Sequence, residues 1–296
     1  MTETIKVKVT EKHSKKKIRI SGILITAILV CLAVTALMPV VFVAANSFMD
    51  SREIMKSYSG IMSGSGNIFP HIIPERATLM QYAEVFWLKP DYLVKFWNSI
   101  FITLAIVTGQ IIVSCMGGYG FAKFSFPLKK LVFFLLIILM MMPYQVTLVP
   151  QYLMLDKMGL IGSYAAVILP GIVAPFGIFL LTQVFSSVPD NITEAAKIDG
   201  ASNVQILFRI IFPYARTGIA SLFILSFIDN WNMVEQPLVF LSDPKKYPLS
   251  IFLCNVNMTN FGVAFVCGIL AMIPVVIIFL YLKESLIYGI ETSNLK

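Results

Sequence analysis

Few side chains in this sequence are equipped for covalent or metal chemistry. The 296 residues hold two histidines, His13 and His71, and four cysteines, Cys31, Cys115, Cys254 and Cys267, none in a C-x-x-C pair. A metal site or a nucleophilic triad has almost nothing to be built from, so no catalytic and no metal-ligating residue is assigned. No glycine directly precedes a lysine, which removes the G-x-x-x-x-G-K-S/T loop that would cradle a nucleotide phosphate. What remains is polar chemistry without a nucleophile: Asp229, Trp231, Asn232, Glu235 and Gln236, set in an otherwise apolar stretch. On a continuous helix Asp229, Asn232 and Gln236 fall within about 60° on one face, and Trp231 and Glu235 are i, i+4 neighbours elsewhere. Pro237 ends the stripe and withholds an N–H, freeing a carbonyl around Met233.

The elements that carry these residues are membrane helices. The chain is 57% hydrophobic and 13% charged, against about 45–50% and 25% for a water-soluble domain. Crossing a bilayer takes about 20 apolar residues in helix. Six runs qualify: 20–46, 98–122, 130–151, 164–185, 214–241 and 261–285. The expected fold is therefore an all-α integral membrane protein of about six spans. It has a basic tail at 1–19, a spanning domain at 20–285 with an outer loop at 47–97, and a second tail at 286–296. The first run extends from about Ile23 to Ala45, too long for a signal-peptide core, and reads as a retained helix.

Charge sets the orientation. The net charge is +7, and seven of the 23 Lys and Arg residues precede the first apolar run. With both termini cytoplasmic, the inner segments hold fifteen basic residues and the outer ones eight, as the positive-inside rule requires. No aromatic interleaving accompanies the basic tail, so it reads as a partner for anionic lipid and not for nucleic acid. A carboxylate at the bilayer centre costs about 2.5–3.5 kcal/mol, so the polar stripe of span five must face water or protein. A lining for an aqueous path and a helix–helix interface both remain open.

The inner segment from Ser186 to Arg216 is written as two short helices with a corner. Asn191 and Glu194 have capping-box spacing just after Pro189, Gly200 is placed as a helix stop, and Ser202 with Gln205 makes a second box. The small residues Ala195, Ala196 and Ala201 would let the groove of another protein approach the backbone. An interfacial amphipathic helix is the alternative for the same residues.

The string Glu194-Ala-Ala-Lys-Ile-Asp-Gly-Ala201, with Pro213 thirteen residues after Gly200, resembles the EAA loop of binding-protein-dependent ABC importers. The match holds at Glu194, Ala195, Ala196, Asp199, Gly200 and Pro213. From about residue 70 to 290 the chain is also similar to sugar permeases of the maltose type, nearest the smaller of the two permease subunits. Asn98-Ser99, Gly118-Tyr-Gly-Phe-Ala-Lys123, Trp231-Asn232, Pro237-Leu238 and Tyr247-Pro-Leu249 carry this likeness. The resemblance implies a type I importer fold in a bacterial or archaeal cell membrane, with 186–213 coupling the permease to a separate ATPase. It also implies a second homologous permease, a dimeric ATPase that carries the ATP and Mg, and an extracytoplasmic solute-binding protein. No cofactor is expected on this chain. The expected cargo is a di- or oligosaccharide or a related polyol. Thr217 stands where the family often has proline. The tail after Gly289 only loosely resembles the family's glycine-rich ending. An ion-coupled secondary transporter is the rival, but no repeated pair of broken helices and no buried basic relay is visible.

Overall fold

Residue patterns of this kind produce helices almost exclusively, and the computed structural model, which describes residues 20–62, 73–88, 91–254 and 261–293, contains a single isolated β-bridge, Met49 to Ala77, among those residues. The basic tail at 1–19 and His71 lie outside the described residues. In chain order the helices are α1 (Ile20–Asn46), α2 (Ser51–Met62), α3 (Met80–Ala83, continued by a π-helical turn at Glu84–Leu88), α4 (Asp91–Lys123), α5 (Lys129–Met141), α6 (Tyr144–Lys157), α7 (Tyr164–Ile172) and α8 (Pro175–Ser186). There follow α9 (Asp190–Ile198), α10 (Asn203–Ile206), α11 (Phe212–Tyr214), α12 (Arg216–Trp231), α13 (Glu235–Phe240), α14 (Leu249–Cys254) and α15 (Phe261–Ser293).

Among the described residues four helical segments are long and apolar enough to cross a bilayer, and six if each of two sharply bent pairs is one span. The bends correct the expectation of simple rods. Span three, expected over 130–151, is α5 and α6 at 101° to one another. Met142 before Pro143 is extended, as a residue preceding proline prefers, so the helix cannot run through. Span four breaks at Val173 and Ala174, ahead of Pro175. The region expected as span five, 214–241, holds α12, followed by an unwound step and the short α13. At its start α12 meets the preceding helix at 80°. Span six runs past its expected end, and α15 carries most of the expected tail at 286–296 in helical form as far as Ser293. The expected outer loop at 47–97 is partly helical, because α2 and α3 lie within it and α4 already begins at Asp91.

α4 is the axis of the bundle. Its Cys115 and Tyr119 join Leu181, Phe185, Ile206, Ile211 and Leu222 in one core. Val107 and Tyr92 join Phe227, Trp231, Val266 and Cys267 in a second. Ile102 and Ile106 join Val167, Phe240 and Leu241 in a third. Close packing on α8 requires glycine: a Cβ on Gly118 would lie 2.9 Å from Leu181 Cβ and 3.1 Å from the Thr182 backbone nitrogen. α1 lies outside this arrangement against α15, apolar all round and exposed from Leu24 to Val41, as a lipid-facing helix must be, while Phe42 at its end packs on Tyr58 and Phe265.

Polar contacts sort the loops into two ends. At one end, the Lys123 Nζ donates to the Val188 carbonyl at 2.6 Å and pairs with Asp190 Oδ1 at 2.6 Å. At the other, Tyr164 OH donates to Asn98 Oδ1 (3.0 Å) and Lys246 Nζ to the Gly162 carbonyl (2.7 Å). The region after α1 joins this second end, where Val85 packs with Tyr92, Leu249 and Val263; there Gln81 Nε2 donates to the Met49 carbonyl at 2.8 Å, and Gly262 leaves room for the Gln81 amide.

Candidate functional site: the elbow and the broken fifth span

The elbow is fixed by its own backbone. α9 begins after Pro189, whose ring sets an extended residue ahead of the first turn; Asn191 is exposed and makes no cap, so the first expected capping box is not formed. At the far end, Gly200 takes φ +81°, which β-carbon-bearing residues rarely adopt. There the Ala201 N–H donates to the Ala196 carbonyl and the Gly200 N–H to the Lys197 carbonyl, both at 3.0 Å. This is a Schellman stop, and it satisfies carbonyls that would otherwise end in nothing. The second box is formed: Ser202 Oγ accepts from the Gln205 N–H at 3.3 Å, and Gln205 Oε1 accepts from the Ser202 N–H at 2.8 Å. Two adjacent terminators leave the corner little freedom.

Packing gives the elbow an inner and an outer face. Thr193 and Ala196 are buried, with Ala196 in the core beside Phe185 and Ile206. Ala196 is therefore not available to an outside groove, whereas Glu194, Ala195, Asp199 and Gly200 are exposed and Ala201 is half-buried. Outward from the corner stand Ile198 (86% exposed), Val204 (65%) and Phe208 (60%), an apolar tip rimmed by Glu194, Lys197, Asp199 and Arg209. After α10 the helix widens into a π turn at Leu207–Ile211. Pro213, which has no N–H to give to Arg209, closes it, and the chain turns into α12.

The second constellation does not keep the helical spacing expected of it. α12 stops at Trp231 and α13 starts at Glu235, so Trp231 and Glu235 are not i, i+4 partners and the stripe is divided by a break. Trp231 is buried, its Nε1–H donating to the Ala271 carbonyl of α15 at 3.1 Å. Asp229 and Asn232 are exposed, and Asn232 Nδ2 donates back to the Ile228 carbonyl at 2.8 Å. The carbonyl expected to be freed by Pro237 is found: Met233 O accepts from Ser250 Oγ of α14. Glu235 reaches across to the bent third span, where Gln145 Nε2 donates to both its oxygens at 2.9 and 3.2 Å. Trp231 and Asn232 also line a cavity of about 290 Å³ with Ser250, Gly268 and Met272. Its wall is mainly apolar with an amide and a hydroxyl, suited to a weakly polar occupant and not to an ion.

Sequence reasoning missed a third group. Lys95 is buried, and its ammonium donates to the Pro244 carbonyl. Asn98 Nδ2 donates to the carbonyls of Lys245 (2.8 Å) and Tyr247 (3.2 Å), and Ser99 Oγ accepts from the Leu249 N–H (2.7 Å). The sequence does carry the signal, since Lys95, Asn98 and Ser99 share one helix face at i, i+3, i+4, but Lys95 falls within the expected outer loop at 47–97. Lys123 gave no such signal. Its pairing holds the Asp190 carboxyl below its usual range, chiefly through the hydrogen bond and the positive charge of Lys123. Among the described residues no three His, Cys, Asp or Glu side chains are grouped as a metal site would need.

Residues 110–287, which hold both the elbow and the broken fifth span, match the family described as binding-protein-dependent transport system inner membrane component. The chain belongs to this family. It is a multi-pass ABC-type transport permease subunit. Among its relatives is the arabinooligosaccharides transport system permease protein AraQ of Halalkalibacterium halodurans, 29% identical over 268 residues, which are 90% of this chain and 93% of that one. The sn-glycerol-3-phosphate transport system permease protein UgpE of Brucella abortus is 31% identical over 204 residues, 67% of this chain and 72% of its own. The lactose transport system permease protein LacG of Rhizobium radiobacter is 29% identical over 237 residues, 78% and 87% of the two chains. In fold, this permease superposes on a chain of a bacterial ABC transporter that imports the acidic polysaccharide alginate. The TM-score is 0.75 at 23% identity, covering 90% of this chain and 96% of that one. The type I importer architecture is thereby established.

Proposed function

We propose that this permease is one half of the membrane channel of an ATP-driven carbohydrate importer. It moves a di- or oligosaccharide, or a related polyol derivative, into the cytoplasm. The relatives' cargoes support that solute class, being oligosaccharide, lactose and glycerol phosphate. A second permease completes the path, an extracytoplasmic binding protein delivers the solute, and a dimeric ATPase holds ATP and Mg. Both termini and the elbow face the cytoplasm.

The observation that carries the reading is the elbow itself. A corner fixed by two adjacent terminators, with an apolar tip standing 60–86% exposed, is built to be gripped. A floppy loop would absorb a stroke that a rigid one transmits. Exposed apolar tips with charged rims also mark protein contacts more often than lipid contacts, which want a cationic rim. In the same reading Asp229, Asn232, Glu235 and Gln236 border the aqueous path, while Trp231 supports it from inside the fold.

The test is purification of the tagged chain in gentle detergent from its native host, beside a Glu194→Ala, Gly200→Val variant. Recovery of a P-loop ATPase and a second permease is expected, with the ATPase at least about fivefold depleted in the variant and membrane insertion unchanged. A chain that transports with no ATPase partner overturns the reading.

A further inference from the structure

Force applied to the elbow can leave it through the packing of Ala196, Ile206 and Ile211 on α4 and α8, and one polar side chain is placed to add a directed link beside that packing. We propose that Lys123 is a coupling clamp, a positioning residue that joins the elbow's first turn to the end of α4 so that the two move as one body. The inference rests on the ATPase-coupled reading above.

Lys123 is the last residue of α4, and its side chain is only 7% exposed. Its ammonium holds two oxygens at once, both at 2.6 Å: the carbonyl of Val188 and Oδ1 of Asp190. Those two residues flank Pro189, the joint between α8 and α9, so the ammonium bridges the joint itself. Val188 is buried in the core beneath the elbow. Asp190 is the first residue of α9, and its side chain is 75% exposed. A pair with one partner in water contributes little to stability, because water competes for it and salt screens it. Its geometry is nonetheless definite: the amine sits on a side chain held along protein, and a carbonyl fixes its direction. The clamp therefore sets where the elbow's first turn sits on the end of α4, while adding little to the stability of the fold.

The other end of α4 explains why such a link is useful. Lys95, Asn98 and Ser99 hold the Pro244–Leu249 segment by four hydrogen bonds. α4 has 33 residues, and at about 1.5 Å each they span roughly 50 Å. It thus reaches from the elbow to the loop beyond the broken fifth span. A helix clamped at both ends transmits displacement along its axis, and the inner clamp is the one that the elbow loads.

The experiment uses the whole complex, purified with its partner permease, ATPase and binding protein, with Cys31 and Cys254 replaced by serine. Spin labels at Asn203, on the elbow, and Gly120, where an added side chain meets open space, report whether elbow and α4 stay together. A cysteine at exposed Lys245 reports, by maleimide labelling rate, whether the stroke reaches the far loop. Each is read without nucleotide and after trapping with MgATP and orthovanadate. In the parent complex the label distance is expected to hold within about 2 Å, while labelling at 245 changes at least about threefold on trapping. In Lys123→Met, ATP hydrolysis should remain within about twofold of parent, the change at 245 should vanish, and the label distance should spread only on trapping. Lys123→Arg should restore both readouts.

A Lys123→Met complex that keeps the parent's response at 245 overturns the clamp. So does a distance that spreads equally without nucleotide, which is the mark of a merely structural residue. A parent complex that hydrolyses no ATP, or responds to none, overturns the ATP-driven reading and the clamp with it.

Discussion

At single residues the chain shows which backbone groups it must satisfy and how few ways it has of doing so. Gly200 at φ +81° leaves room for an added Cβ, so the penalty for a side chain there is conformational and not steric. An L-residue in that region costs about 1–2 kcal/mol, and a β-branched one more. Gly200→Asn should therefore keep most transport activity where Gly200→Val loses it, since asparagine tolerates the left-handed region. Uptake normalised to membrane abundance separates the two; equal loss in both would mean that space, and not φ, is limiting. The freed carbonyl of Met233 poses the same question inside the bundle. Ser250 of α14 satisfies it, and a half-buried acceptor left without its donor costs no more than a fully buried one, about 1–3 kcal/mol. Ser250→Ala should lower the thermal midpoint of the detergent-solubilised chain, whereas Ser250→Thr, which keeps the hydroxyl, should largely spare it. A midpoint unmoved by the alanine would place water or another donor at Met233.

Elements explain what the sequence could and could not reveal. Span existence was legible because apolar length is a local property, and the elbow was legible because glycine and the Ser202–Gln205 box are local signals. The breaks were visible only as prolines. Pro143 and Pro175 stand at a break, and Pro237 lies in the first turn after one, while Pro39, Pro150 and Pro274 stay well inside helices and Pro170 lies in the last turn of α7. What a proline does depends on whether a neighbour re-satisfies the backbone, and that is tertiary information. The burial of Ala196 and the pairings of Lys123 and Glu235 were hidden for the same reason. The α4–α8 contact makes the most exacting demand. At Gly118 even a methyl group would meet Leu181 and the backbone of Thr182 near 3 Å, and backbone cannot step aside. Gly118→Ala should destabilise by about 1–3 kcal/mol, seen as a lower midpoint in detergent. Gly118→Leu should yield little folded protein. At Gly120, where nothing lies in the way, the same alanine should be silent, and a matching loss there would mean that helix propensity or lipid packing is responsible.

For the whole molecule, the polar contacts decide which loops share a side before any membrane is invoked. Lys123 meets Val188 and Asp190, so the end of span two and the elbow share one side. Asn98, Gly162 and the Pro244–Tyr247 segment meet one another at the opposite end of α4. We propose from charge that the elbow side is the cytoplasmic one, since Lys123, Lys129, Lys130, Lys197, Arg209 and Arg216 gather there. The expectation can be read directly with single cysteines at exposed Lys197 and exposed Lys245, in a background lacking Cys31 and Cys254. A membrane-impermeant maleimide applied to intact cells should label position 245 and not 197, and permeabilisation should admit labelling at 197. The reverse pattern would place the elbow where no ATP is available to drive it, and the carbohydrate-import reading would fall for a reason independent of any solute assay. Labelling at both positions in intact cells would instead mean that the preparation leaks, which a cytoplasmic marker enzyme reports in the same tube.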